Sequence, residues 1–108
     1  MAYLVVLRRV GPEWDASLPL EQQTGWAEHA AFMDALVKSG FVVLGGPLGD
    51  AERVVLAVEA DTEYDVRLTL AADPWSESHL VIDAIEAWTI RLDGRERLSE
   101  PQEPGRDQ

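Results

Sequence analysis

The stretch from Trp26 to Asp50, WAEHAAFMDALVKSGFVVLGGPLGD, decides the fold. Trp26, Ala30, Met33 and Val37 recur at spacings of four, three and four, with Leu36 beside them. This is the apolar stripe of a 3.6-residue period. Thr24 reads as the N-cap of that helix and Gly40 as its stop. Phe41–Leu44 predicts a short strand, and Gly45, Gly46, Pro47, Leu48 and Gly49 predict a tight turn into the next one. That turn lacks the glycine–lysine and repeated-glycine patterns of nucleotide loops, so a hairpin connection is its primary reading. His29 follows Trp26 by three residues and precedes Met33 by four, so it shares or borders the buried stripe. An imidazole held there needs partners for its ring nitrogens.

Working outward, Tyr3–Val10 predicts a first strand with Tyr3, Val5 and Leu7 on one face and Leu4 and Val6 on the other. Gly11-Pro12 ends it. Arg8 and Arg9 could meet an anionic ligand there, although a surface ion pair is the commoner role in so acidic a chain. Trp14 could serve as a lid over a pocket, although a plug on the core edge is the commoner role, and Pro19–Gln23 reads as a single helical turn. Arg53–Glu59 predicts the third strand. Asp61 or Thr62 caps a second helix running to about Ala72, which Asp73-Pro74 closes because the residue before proline leaves helical geometry. His79–Leu92 alternates as a fourth strand, with Leu80, Ile82, Ala84, Trp88, Ile90 and Leu92 on one face and Glu86 interrupting them.

The order strand, helix, strand, strand, helix, strand is the split-βαβ pattern. It predicts an α+β fold, a four-stranded antiparallel sheet with both helices on one face. The other face is apolar with nothing in the chain to cover it, which predicts a homodimer. Residues 1–94 form one domain in this reading. Residues 95–108, RERLSEPQEPGRDQ, read as a charged, flexible tail.

Four pieces resemble the YciI-like (YCII-related) family: WAEHAAFMDAL at Trp26–Leu36, GFVVLGGPLGD at Gly40–Asp50, DPW at Asp73–Trp75, and the late Trp88. The resemblance spans roughly Tyr3 to Leu92. It implies a ferredoxin-like βαββαβ protomer that pairs into a dimeric α/β barrel, with a site made by His29 and Asp73. From the residues alone, Asp73 is better explained by capping the N–H groups of its own turn, with His29 merely filling its place. The resemblance favours a shared site, which the Gly45–Leu48 turn and Trp75 or Trp88 would border.

Composition excludes several functions. Nine basic against twenty acidic residues give a net charge of −11, which argues against a nucleic-acid surface or an anionic membrane. Cysteine is absent, excluding disulfides and thiolate metal sites. No apolar run approaches the roughly 20 residues of a membrane span. The opening MAYLVVLRRV places its arginines after the apolar residues, the reverse of a secretion signal, so a cytoplasmic location is expected.

No nucleophile stands out, because Ser39, Ser76, Ser78 and Ser99 lie in no nucleophile-elbow context. Metal binding by His29, His79 and Asp73 or Asp83 lacks ligand spacing, and neither metal nor cofactor is expected. Trp75 and Trp88, with Trp26 and Tyr3, are candidates for an aromatic lining, although core packing is tryptophan's commoner use. The leading expectation is a lyase- or isomerase-type enzyme in which His29 moves a proton and Asp73 orients it. One YciI-like protein is a dehydrochlorinase of chloroaromatic breakdown, which implies that style of chemistry but no substrate. The alternative is a non-catalytic dimeric module that binds a small ligand or a protein partner.

Overall fold

The structure, a computed structural model, describes residues 1–95. Strand β1 (Ala2–Arg9) leads through a 3-10 turn (Leu20–Gln22) to helix α1 (Trp26–Ser39). Strands β2 (Val42–Pro47) and β3 (Arg53–Glu59), helix α2 (Glu63–Ala71) and strand β4 (Leu80–Trp88) follow. The sheet is open and antiparallel in the order β2-β3-β1-β4. This is an α+β arrangement compatible with a ferredoxin-like fold. The tail expected over 95–108 lies outside the described residues apart from Arg95.

Alternation on β1 sets the layers. Tyr3, Val5 and Leu7 are buried and meet Val58, Leu56 and Val54 of β3 across the ladder. Val66 and Leu70 of α2 and Met33 and Leu36 of α1 pack on that same face. Both helices therefore cover one side of the sheet, and Leu4, Val6, Val55 and Ala57 occupy the other.

The helix ends follow local chemistry. Gly40 closes α1 at φ 86°, a left-handed conformation that suits glycine, and its N–H donates to the Val37 carbonyl. Thr62 caps α2, its hydroxyl accepting from the Asp65 N–H. Thr24 does not cap α1: Gly25 holds that position at φ 74°, without a side-chain cap. The Thr24 hydroxyl is used elsewhere, as described below.

Three strand expectations need correction. First, β2 does not stop at Leu44. Gly45, Gly46 and Pro47 continue the strand opposite Leu56, Val55 and Val54, so the turn begins at Leu48. An edge strand tolerates glycine and proline because one row of its backbone groups has no ladder partner. Gly45 also gives Leu56 room, since a Cβ there would lie 2.6 Å from Leu56 Cδ2 and would push that methyl aside. Second, β4 ends at Trp88, short of Leu92.

Third, β4 does not keep one face throughout. The register slips between Val6 and Leu7, which face Ala84 and Ile82, leaving Asp83 as the extra residue of a bulge. A bulge reverses the side-chain parity beyond it. Leu80 and Ile82 face the helices before the bulge, and Ile85 and Ala87 do so after it, opposite Val5 and Tyr3. Ala84, Glu86 and Trp88 are thereby carried to the helix-free face. Glu86 is an exposed residue of that face and interrupts no core.

Helix α1 stands off the sheet. None of its residues is fully buried, and Val37 is 57% exposed. The space left between α1, the end of α2 and the sheet is a cavity of about 740 Å³. Among the described residues no helix is long and apolar enough to cross a membrane.

The end of β1 is locked against the segment before β4. Gly11 has φ 143°, and a Cβ on it would lie 2.6 Å from the Ser78 carbonyl oxygen. Gly11→Ala should therefore lower stability by more than about 1 kcal/mol in urea denaturation. Gly46→Ala, with nothing within 4 Å of its added Cβ, should change it by less than about 0.5 kcal/mol.

Candidate functional site

Asp73 and His29 reach each other from two helix ends. His29 lies in the first turns of α1, its backbone N–H bonded to the Gly25 carbonyl at 3.0 Å. Asp73 follows α2 immediately, its own N–H bonded to the Leu70 carbonyl at 3.1 Å. His29 Nδ1 lies 2.8 Å from Asp73 Oδ1 and 2.9 Å from Oδ2. Oδ1 also accepts the Trp75 N–H at 2.9 Å. The carboxylate thus caps its own turn and holds the histidine at once; the two roles posed by the sequence coexist. A carboxylate only accepts, so Nδ1 carries the proton and Nε2 is left with its lone pair in the neutral ring. Nε2 has no hydrogen-bond partner among the described residues, and the His29 ring lines the cavity.

Trp75 organises the aromatic side of the site and is 2% exposed. Its ring stacks on His29, with centroids 4.1 Å apart and planes 6° from parallel. It also stacks on His79 at 4.4 Å and 15°. The Trp75 indole N–H donates to the Thr24 carbonyl at 2.8 Å, which fixes its rotation. Trp14 meets both Trp75 and His79 edge-on, at 5.9 and 6.3 Å, closing this cluster from the loop side as a plug. Trp26 lies 5.9 Å from both His29 and Trp75.

The remaining candidates divide. Gly45, Gly46, Pro47 and Trp75 line the same cavity as His29 and Asp73. Leu48 does not, because β2 runs on through Pro47 and carries the turn past the cavity mouth. Trp88 does not either: the Asp83 bulge turns it to the other face, where it lines a separate cavity of about 240 Å³ with Leu44 and Ala57. Tyr3 is buried in the core and does not line the main cavity.

Two residues of the region were given lesser roles by the sequence. His79 is 2% exposed, with Nε2 3.1 Å from the Thr24 hydroxyl and Nδ1 2.6 Å from the Ser78 hydroxyl. Both ring nitrogens are satisfied and neither His79 nor Ser78 lines the cavity, so this pair is structural. Arg9 lines the cavity. Its signal was present in the alternation of β1, since Arg9 continues the inward parity of Tyr3, Val5 and Leu7. Among the described residues no group of three or more His, Asp or Glu side chains could hold a metal. No protein-family model matches this chain, and no curated protein matches it.

Burial holds the His79 imidazole below its ordinary basicity; His29 acts in the same direction, while Glu13 and Asp73 oppose it. The unfolded chain then binds a proton at a higher pH than the folded one does. Stability from this group is complete above the ordinary histidine pKa of about 6.5 and is lost as pH falls below it. His79→Gln should flatten the fall in urea midpoint between neutral pH and pH about 5, relative to the unsubstituted protein.

Proposed function

We propose that this protein is a YciI-like enzyme of lyase or isomerase type, with His29 as general base and acid on a small organic substrate. One observation carries the reading. An imidazole anchored at Nδ1 by a buried carboxylate presents an unpartnered Nε2 to an apolar cavity. A volume of about 740 Å³ is in the range of small-molecule sites.

In this mechanism Nε2 takes a proton from an acidic C–H or phenolic O–H of the substrate. Asp73 holds the ring in the correct tautomer and stabilises the imidazolium that forms. In an isomerisation the same nitrogen returns the proton to a different carbon. In an elimination the C–H electron pair forms the double bond, the leaving group departs with its own pair, and the proton stays on Nε2. No nucleophile is needed, consistent with a cavity lining that contains no cysteine and only Ser76 as a hydroxyl.

The second reading, a binding module without chemistry, is favoured by the mainly apolar lining. Proton exchange separates the two. Small enolisable acids and phenols incubated in D₂O should exchange protons faster with the protein than without it, as followed by NMR. His29→Ala should lower that rate by about 10²–10⁴-fold with the fold intact by circular dichroism. Ligand binding without exchange, or exchange that survives His29→Ala, would leave the module reading in front.

We also propose that the helix-free faces of two copies stack as a dimeric α/β barrel. Leu44 is 58% and Trp88 43% exposed there, beside half-buried Leu4, Val6, Val55 and Ala57. Covering this apolar surface would remove it from water. Light scattering at micromolar concentration should give twice the 12.0 kDa chain mass, and a monomer mass there would sink the dimer.

A further inference from the structure

Arg9 stands apart from the other arginines among the described residues. Arg8, Arg53, Arg67 and Arg95 each pair with a carboxylate, namely Asp83, Asp50, Glu63 and Asp93. Arg91 is exposed to solvent. Arg9 is half-buried, has no carboxylate within ion-pair distance among the described residues, and lines the His29 cavity. In so acidic a chain, a sheltered guanidinium that no carboxylate among the described residues neutralises is unusual. Keeping a cation partly out of water without a counter-charge is costly.

The guanidinium is also held in place. Nη1 donates to the Ala51 carbonyl at 2.9 Å, and the guanidinium carbon lies 5.7 Å from the centre of the Trp14 ring. Ala51 is the one non-glycine residue with positive φ among the described residues, at 60°, a conformation that costs an alanine about 1–2 kcal/mol. The turn after β2 therefore carries backbone strain where it supplies this carbonyl. Arg9 has five N–H donors, and among the described residues one hydrogen bond, to the Ala51 carbonyl, engages them. Burial pushes Arg9 below its ordinary pKa, as expected of a cation lacking its counter-ion, although arginine stays charged.

The lining around it limits the ligand. Leu7, Val54, Leu56, Leu80 and Ile82 supply an apolar floor. Of the other charged residues on the lining, Asp73 is engaged by His29 and Arg67 by Glu63. Glu77 is exposed to solvent, where its charge is screened.

We infer that Arg9 is the anion-recognition residue of this cavity, and that its ligand is a small organic carboxylate with an apolar body. The planar guanidinium matches the two oxygens of a carboxylate. A phosphate dianion would lose more hydration on entering so apolar a site. The inference rests on reading the cavity as the substrate site, and it names the class of substrate: an acid whose carboxylate sits on Arg9 while its body lies against the apolar floor.

Calorimetric titration of the whole chain with phenylacetate against phenylacetamide, and hexanoate against hexanamide, tests this. Each acid should bind at least about tenfold more tightly than its amide. Arg9→Gln should abolish that preference while leaving amide affinity within about twofold, and Arg9→Lys should retain part of it. Equal binding of acid and amide, a preference that survives Arg9→Gln, or no binding of any of the four at millimolar concentration would each overturn the assignment. The comparison of acid with amide in the unsubstituted protein stands even if the variants fail to fold. His29→Ala separates this assignment from the catalytic reading. Carboxylate preference retained in that variant, with no proton exchange in the parent protein, would leave Arg9 as anion site and remove His29 as base.

Discussion

The Asp73 carboxylate is the point on which the site hangs. It is nearly buried, and it accepts both the Trp75 N–H of its own turn and the Nδ1–H of His29, forty-four residues earlier. Hydrogen bonds to charged groups contribute about 1.5–3 kcal/mol each, and a buried carboxylate stripped of them costs more than that. The bond to Trp75 sets the turn that stacks the indole on the His29 ring, and the bond to His29 ties the start of α1 to the end of α2. Helix α1 also packs on the core through half-buried Met33 and Leu36, although none of its residues is fully buried. The cavity lies beneath this helix, with Trp26, His29, Met33 and Val37 on its lining.

A second constraint comes from the aromatic cluster behind the site. The buried His79 ring is satisfied by the Thr24 and Ser78 hydroxyls, and the Thr24 carbonyl takes the indole N–H of Trp75. No buried side-chain polar atom lacks a partner among the described residues. A polar network satisfied in this way resists rearrangement, so the wall against which His29 stands is rigid. The opposite wall is glycine-rich backbone of the edge strand β2, where Gly45 lets Leu56 approach closely. A rigid aromatic side facing a bare backbone side suits a flat organic molecule.

Much of this could be read from the chain. The 3.6-residue stripe over Trp26–Val37, the stop at Gly40, the proline after Asp73 and the apolar runs of the strands act locally, through backbone sterics and burial of one face. They set the order of the elements and which helix end carries each member of the His29–Asp73 pair. Alternation along β1, carried two residues past Leu7, points Arg9 inward, a signal outweighed at the level of sequence by the acidity of the chain, which argued for a surface ion pair. Arg8, its neighbour on the outward side, does form one with Asp83.

What local rules could not supply was parity and partnership. Each β-bulge adds one residue to a strand, and whether it forms depends on the neighbouring strand, so the faces of Ala84, Glu86 and Trp88 were settled only by pairing with β1. The same holds for the glycines of β2, which read as a turn until β3 lay beside them and the edge position made them tolerable in a strand. Partner choice is likewise non-local. Thr24 had the chemistry of a helix cap, yet its hydroxyl went to His79 because folding brings that buried ring within reach. Sequence by itself determined the elements and the residues able to do chemistry. Only the tertiary structure decided which of them share a cavity, because side-chain direction in a sheet and the satisfaction of buried polar atoms depend on residues far away in the chain.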